Sequence, residues 1–197
     1  MSLGTKFNEA LQHTLQFEGG YVNDPDDRGG ETFRGISRKN WPNWAGWDRI
    51  DQVKRTGAVS RKAIDIYFNQ DAEMEALVAG FYHENFWLPF QILNLPALIT
   101  AKLFDTSINV GQKQAVKFLQ RAVNQMNAAG PLVVDGAAGP KTIHALAFTL
   151  ISPDDEQRML QLLVRAQEEY YREIVRKRPN QQKYLKGWLR RAAWVPA

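Results

Sequence analysis

The sequence predicts a mainly α fold with a short loop or hairpin region after the first helix. Apolar residues recur at helical spacing over most of the chain, and strand signals are scarce. The exception is residues 21–47, which are dense in Gly, Pro, Asp and Asn and cannot hold helical periodicity. With 197 residues, 44% of them hydrophobic, the chain is long enough to bury a substantial core.

The first predicted helix covers residues 5–17. Phe7, Leu11 and Leu15 recur on one face of it, and Gly19 and Gly20 end it. The segment that follows reads as an ordered loop with a short hairpin, and long loops of this kind are usually functional.

Further helices are predicted in the middle of the chain. Residues 60–87 suggest one long or two consecutive helices, which Pro89 should end because proline cannot continue a helix. Another helix is expected over residues 97–108, and the apolar face of residues 115–126 predicts the next.

Two start signals place the last predicted helices. Pro140 follows Gly139 as at a first helical position. The run Ser152-Pro-Asp-Asp combines a serine cap, a proline in the first turn and acids at the positive end of the helix dipole.

Composition excludes several function classes. Without cysteine the chain has no disulfide, thiolate nucleophile or cysteine-bound metal. His13, His83 and His144 lack metal-site spacing, and no nucleophile elbow or phosphate-binding loop occurs. We therefore expect no metal and no cofactor. No run of about 20 apolar residues and no signal peptide is present, so a protein made in the cytoplasm and not transmembrane is expected.

The positive charge is concentrated at the C-terminus, because the whole excess of +4 lies in residues 153–197. Such a basic tail attracts polyanions, and nucleic acid, cell-wall polymers and anionic envelope surfaces are all physical candidates. A solvated amphipathic helix explains the pattern equally well. No recognised motif supports nucleic-acid binding.

Glu18 is the candidate catalytic acid. It follows the end of the first helix, where the dipole disfavours a second negative charge, and Phe17 and Tyr21 flank it. A carboxylic acid kept protonated is what protonation of a glycosidic oxygen requires. Two following glycines would let a bulky sugar approach the backbone. A solvated glutamate near a glycine cap is the alternative.

Several carboxylates in residues 23–32 could supply the second acid that glycosidases need. Turn chemistry is the alternative for this loop, and Asp24 before Pro25 fits it well. Trp41, Trp44 and Trp47 could form a sugar platform, or their three-residue spacing could serve core packing. Asp105 could be a catalytic partner or a buried hydrogen-bonding group.

The run from Glu18 to Ser37, EGGYVNDPDDRGGETFRGIS, resembles the N-terminal signature of the glycoside hydrolase family 108 muramidases. In that family the glutamate before Gly-Gly-Tyr is the essential acid, which implies this role for Glu18. Asp27 and Thr32 fall at a spacing similar to the Glu, Asp, Thr triad of phage lysozymes, in which Asp and Thr position or activate water. The resemblance therefore implies a lysozyme-like fold.

The resemblance extends over nearly the whole chain. Asp105 and Asn109 match the family's Asp-x-x-x-Asn-x-Gly stretch, and residues 109–190 resemble its peptidoglycan-binding region through Phe-Leu-Gln120 and the motif from Asp135 to Thr142. We expect a catalytic region at 1–108 and a peptidoglycan-binding helical region at 109–197. The predicted substrate contacts are Tyr21, Asp24, Phe33, Trp41, Trp44, Asp105 and Asn109.

The resemblance thus implies an N-acetylmuramidase that cleaves the β-1,4 bond between N-acetylmuramic acid and N-acetylglucosamine. Its partners would be peptidoglycan glycan strands and, through the basic tail, an anionic envelope surface. It would reach the wall by holin-type release or other export. Two other classes stay open: a non-catalytic wall-binding or secretion-helper protein, and a nucleic-acid binder held by salt-dependent phosphate contacts.

Overall fold

The computed structural model describes residues 4–23, 30–57, 60–126 and 131–195, and it confirms the mainly α prediction. The only strands in these residues are two residues long. The helices are α1 Thr5–Leu15, α2 Gly46–Arg55, α3 Arg61–Tyr67, α4 Ala72–Tyr82, α5 Leu88–Gln91, α6 Ala97–Val110, α7 Gln112–Met126, α8 Pro140–Thr149, α9 Pro153–Lys177 and α10 Gln182–Ala192; the strands are β1 Tyr21–Val22, β2 Thr32–Phe33 and β3 Ile36–Ser37.

The chain divides into two compact units. The first comprises Leu11–Asn85, apart from the terminal methionine, and the second comprises Ser2–Ala10 and Phe86–Ala197.

The first unit contains the predicted hairpin region as a three-stranded antiparallel sheet in the order β1-β2-β3. Phe33 pairs with both Tyr21 and Ile36. Between β2 and β3 the chain turns through two residues, Arg34 at φ 46° and Gly35 at φ 81°. Positive φ at both central residues is the requirement of a type I′ hairpin turn, whose twist matches that of the strands.

Helix α2 is absent from the sequence prediction, which treated the segment through Trp47 as loop. Its buried residues Trp47, Ile50 and Val53 recur every three positions. This periodicity spans only ten residues and begins inside the Gly- and Pro-rich region, so the turn signals masked it.

The break predicted at Pro89 is wrong. After α4 the chain continues as a π-helical segment, His83–Trp87, and then as α5, which contains Pro89 in its first turn. Proline is tolerated there because the first-turn N–H groups have no partner within the helix. The helical path instead ends after Gln91, and Asn94 adopts φ 51°.

The second unit is built on α6, α7 and α9, each of which contacts the other two. Its core includes Leu103, Phe118, Leu119 and Leu163, all at most 3% exposed. The predicted starts of α8 and α9 are confirmed. The Ser152 hydroxyl accepts a hydrogen bond from Asp155 N at 3.2 Å, as its capping role requires.

The Asp135-to-Thr142 motif forms a hydrogen-bonded junction around the buried side chain of Gln120. Gln120 Nε2 donates to Asp135 Oδ1 at 2.8 Å, and Gln120 Oε1 accepts from Gly136 N at 2.9 Å. Gly136 has φ 80°, and a Cβ there would lie 2.6 Å from the carbonyl oxygen of Lys113. The motif therefore forms the loop-to-helix junction that its sequence predicts.

Candidate active site

Glu18 lies just beyond the end of α1. The helix ends at Leu15, two residues earlier than predicted, and a tighter turn follows in which Phe17 N donates to Thr14 O at 3.0 Å. This turn brings Glu18 to the start of the sheet in the first unit. Its side chain is half-buried.

The β2–β3 turn lies directly against Glu18. A Cβ built on Gly35 would stand 2.7 Å from Glu18 Oε2 and 2.7 Å from the hydroxyl of Tyr82. That hydroxyl, on a side chain only 2% exposed, donates to Arg34 O at 2.7 Å. The carboxyl of Glu18 is therefore enclosed by the backbone of a tight turn and a buried tyrosine. Gly35 itself is exposed, so this enclosure is at the surface of the unit.

The two glycines after Glu18 have different environments. A Cβ at Gly20 would overlap the carboxylate of Asp65, which also accepts a hydrogen bond from Tyr21 N at 2.6 Å. A Cβ at Gly19 would meet only Arg61 Nη2, at 3.9 Å. Close packing against Asp65 therefore requires glycine at position 20. The interpretation that both glycines let a sugar approach the backbone is wrong for Gly20.

Glu31 belongs to an ion-pair network in the same unit. Its carboxylate accepts hydrogen bonds from Tyr21 Oη at 2.8 Å, from Arg38 Nη1 at 2.8 Å and from Lys54. Burial raises the pKa of Glu31, but these hydrogen bonds outweigh it and hold the pKa below its ordinary value. Arg38 also pairs with Asp51. This network fixes the sheet against α2.

The residues predicted to act with Glu18 are located as follows. Thr32 lies on β2, where it pairs with Val22 and Ser37, and its side chain is half-buried. Asp24 and Asp27 lie outside the described residues. Asp65 accepts a hydrogen bond from Tyr21 N, and Glu31 belongs to the ion-pair network with Arg38 and Lys54.

Trp41 and Trp44 line a cleft of about 520 Å³ in the first unit. Trp41 is 39% exposed and packs edge-on against Phe81 at a centroid distance of 4.9 Å. Trp47 is 1% exposed, and its Nε1 donates to Trp41 O at 2.8 Å. The three tryptophans therefore divide between a surface cleft and the core. The cleft is also lined by the polar residues Asn40, Asn43, Glu84 and Asn85.

Several other predicted substrate contacts have buried side chains. Tyr21 and Phe33 are each 1% exposed, and Phe33 packs against Trp44 and Phe68. Asp105 is fully buried and pairs with Arg191 at 3.0 Å. These side chains serve packing and charge pairing, and their burial leaves no face on which a sugar could stack.

Asn109 lies at the end of α6 in the second unit and is half-buried. Its Oδ1 accepts a hydrogen bond from the hydroxyl of Tyr171, which in turn accepts from Gln167 Nε2 at 2.9 Å. Burial raises the pKa of Tyr171 to about 12, so the hydroxyl stays protonated and able to donate. No motif in the sequence identifies Tyr171 as the residue that orients Asn109.

The basic tail is partly neutralised within the second unit. Arg176 and Lys177 both pair with Glu173, and Arg191 is buried against Asp105. Trp188 stacks with both Tyr171 and Tyr184, with centroid distances of 5.4 and 5.8 Å. Its ring is therefore engaged in contacts within the protein.

The described residues contain neither a metal-ion cluster nor a membrane-spanning helix. No group of three or more His, Asp or Glu side chains there is arranged to hold a metal ion. No helix in this part of the chain combines the length and apolar character needed to cross a membrane.

Comparisons with known proteins agree with this architecture. Ten chains of known structure match significantly, among them SagA of Brucella abortus, at 27% identity, with 95% of this chain and 89% of that chain covered and a TM-score of 0.57. A comparison with curated proteins gives no significant match. The helical, lysozyme-like fold that the resemblance implied is confirmed.

Two family profiles cover most of the chain. The profile described as "Predicted Peptidoglycan domain" matches residues 114–193. The profile described as "Glycosyl hydrolase 108" matches residues 11–111, just over half of the chain and including Glu18, the hairpin turn and the tryptophan cleft. The chain therefore belongs to glycosyl hydrolase family 108, and it is a glycoside hydrolase with a peptidoglycan-related activity.

Proposed function

We propose that the protein is an N-acetylmuramidase that hydrolyses the β-1,4 bond between N-acetylmuramic acid and N-acetylglucosamine, with Glu18 as the general acid. The observation that carries this proposal is the enclosure of the Glu18 carboxyl by Gly35 and Tyr82. A general acid must lie within reach of the leaving oxygen, and these contacts with the turn and the tyrosine hold the Glu18 carboxyl in place.

Asp27 is the proposed second carboxylate. It would support the oxocarbenium-like transition state or, together with Thr32, position the attacking water. The matched profile of the hydrolase family spans both residues, which supports carrying the family roles over to them.

The tryptophan cleft is the proposed sugar-binding surface. Pyranose rings stack on aromatic faces, and Trp41 offers an exposed indole beside the asparagine amides that line the cleft. N-acetyl sugars carry amide groups that such side chains can hydrogen-bond. The volume of about 520 Å³ is within the range of small-ligand sites.

Two regions of the chain would have separate functions, as the sequence predicts. Residues 1–108 would carry the catalysis and residues 109–197 the attachment to peptidoglycan, in agreement with the two matched profiles. The enzyme would act on the cell wall as a phage-type lysin, after holin-type release or other export. The basic tail would add attraction to anionic envelope surfaces, through side chains such as Lys186 for which no partner occurs in the described residues.

The test is lysis of purified cell walls by wild type and by Glu18→Gln, which keeps the shape of the side chain and removes the acid. We expect turbidity to fall only with wild type, and Glu9→Gln, an exposed change on α1, to match wild type. Borohydride reduction and mass spectrometry of the released muropeptides then identify the new reducing end. Reduced muramic acid is the expected product.

Three results would count against the proposal. Equal lysis by wild type and Glu18→Gln would remove Glu18 from the mechanism, and reduced glucosamine would move the cleavage to the other glycosidic bond. Sedimentation with walls without any release of reducing sugar would favour the non-catalytic wall-binding alternative, which the match to a peptidoglycan domain also accommodates.

A further inference from the structure

A polar groove runs between α7 and α9 in the second unit. It has a volume of about 710 Å³. The two helices are held together beside it by an edge-on contact of Phe118 and Tyr170, with ring centroids 5.5 Å apart. The groove lies on the segment that the peptidoglycan-domain profile matches.

Each helix contributes one arginine to the groove without a carboxylate partner. Arg121 on α7 and Arg165 on α9 line it, and neither makes an ion pair or hydrogen bond among the described residues. Arg176 and Lys177 line the same groove, but Glu173 already neutralises them. The two unpaired guanidinium groups are therefore available for an anionic ligand, and guanidinium geometry suits carboxylates.

One carboxylate in the groove is also unpaired. Glu169 lies one turn after Arg165 on α9, lines the groove and forms no ion pair within the described part of the chain. A uniform polyanion would meet repulsion from Glu169. A ligand with carboxylates and an amino group would instead find a partner for every charge.

We propose that this groove binds the stem peptide of peptidoglycan, with Arg121 and Arg165 taking its carboxylates and Glu169 its free amino group. Stem peptides carry both kinds of charge on a short chain, which is the combination that the groove offers. This inference rests on the proposed function only in taking peptidoglycan as the polymer. It adds recognition of the peptide to cleavage of the glycan.

The experiment is calorimetric titration of the full chain with a synthetic stem tripeptide, L-Ala-γ-D-Glu-meso-diaminopimelate. Arg121→Gln combined with Arg165→Gln should weaken binding roughly three- to tenfold, since each exposed ion pair contributes modestly. Glu169→Gln should weaken binding of the free peptide by about two- to fivefold. The same variant should bind the peptide acetylated on its amino groups as well as wild type does.

Arg158→Gln is the matched control, because Arg158 lies exposed on α9 outside the groove, and we expect it to bind like wild type. The proposal is overturned if wild type does not bind the tripeptide, or if the groove variants bind as tightly as the control. Tighter binding of glycerol phosphate than of the tripeptide would overturn it in favour of a phosphate polymer. Since the tripeptide contains no glycosidic bond, these outcomes are independent of whether Glu18 is the catalytic acid.

Discussion

Glu18 and Gly35 are in such close contact that any side chain at position 35 would meet the Glu18 carboxyl. A Cβ there would stand 2.7 Å from Glu18 Oε2, closer than real Cβ contacts allow. The hairpin turn requires positive φ at the same position. Two independent constraints, backbone conformation and contact with the proposed acid, therefore select glycine.

Gly35→Ala should abolish most wall lysis while leaving the protein folded. The added methyl must displace Glu18 or Tyr82 by a substantial fraction of an ångström, and such misplacement of a catalytic group costs about a hundredfold in rate. The measurements are turbidity loss of purified walls and the thermal unfolding midpoint.

Gly57→Ala is the matched control for this change. Gly57 also has positive φ, at 94°, but a Cβ there meets nothing within 4 Å. Both variants should lose about 1 kcal/mol of stability from placing an L-residue in the left-handed region. If both retained full lytic activity, the contact of Gly35 with Glu18 would have no part in catalysis.

Tyr82→Phe should lower kcat more than it changes KM. The lost hydroxyl donates to Arg34 O and lies beside the Glu18 carboxyl, so its removal loosens the turn that encloses the acid. We expect a destabilisation of about 1 kcal/mol, the usual net value of one hydrogen bond. Tyr67→Phe, at an exposed tyrosine of the same unit, should leave both kinetic constants unchanged. A rise in KM alone would instead indicate that Tyr82 contacts substrate.

Trp41→Ala should raise KM for glycan strands by roughly fivefold, because one stacked aromatic ring contributes on the order of 1 kcal/mol. Trp41→Phe should restore part of the affinity, since it keeps an aromatic face in the cleft. Steady-state kinetics on soluble glycan chains measure both effects. Unchanged KM in Trp41→Ala would place the sugar elsewhere on the unit.

The sequence predicted the helices with strong periodicity and clear start signals. Ser152 caps α9 and Pro140 begins α8 as expected, because each signal acts within one turn of the chain. Pro89 and α2 were predicted incorrectly for different reasons. Pro89 lies in the first turn of α5, where the missing N–H group has no partner to lose, and the ten-residue periodicity of α2 is masked by the turn signals around its start.

Local sequence signals also could not predict the contacts that build the candidate site. Glu18 could be proposed from its place after a helix and from the family signature, whereas Gly35 and Tyr82 are 17 and 64 positions away and meet it only through the fold. Local signals cannot tell that Trp41 faces a cleft and Trp47 the core. The dipeptide Arg34-Gly35 between two β-prone pairs was the one signal that could have located the turn.

Glu31→Gln should destabilise the protein most near neutral pH. The pKa of Glu31 is below its ordinary value in the folded state, so its stabilising effect is present above that ordinary value and is lost as the pH falls through the folded pKa. We expect a loss of roughly 1–3 kcal/mol at pH 7, from hydrogen bonds between charged groups. The difference from wild type should shrink below about pH 4. Denaturant unfolding at several pH values measures it.

Glu84→Gln is the control for that pH series, since Glu84 is exposed and has no ion pair within the described residues. It should track wild type at every pH. A constant difference between Glu31→Gln and wild type from pH 3 to pH 7 would mean that ionisation of Glu31 does not stabilise the fold.

Lys102 should also make stability rise with pH, but at alkaline pH and because of burial. It is fully buried, and its Nζ donates to Ala192 O at 2.6 Å and Trp194 O at 3.1 Å, so it ties the C-terminal segment to α6. Burial lowers the pKa of Lys102 from 10.5 to about 8. Between these values the unfolded chain binds a proton that the folded protein does not, so the free energy of unfolding should rise with pH across this window.

The rise should be at most roughly 3 kcal/mol, the free energy that corresponds to this fall in pKa. Lys102→Met should remove the rise, although it also lowers stability by leaving two carbonyl groups without their donor. Lys186→Met, at an exposed position of α10, should keep it. Denaturant unfolding between pH 7.5 and pH 10 tests the slope, and a slope that persists in Lys102→Met would assign it to other groups. The upper limit matters because Tyr171, whose pKa is raised to about 12, lowers stability at higher pH.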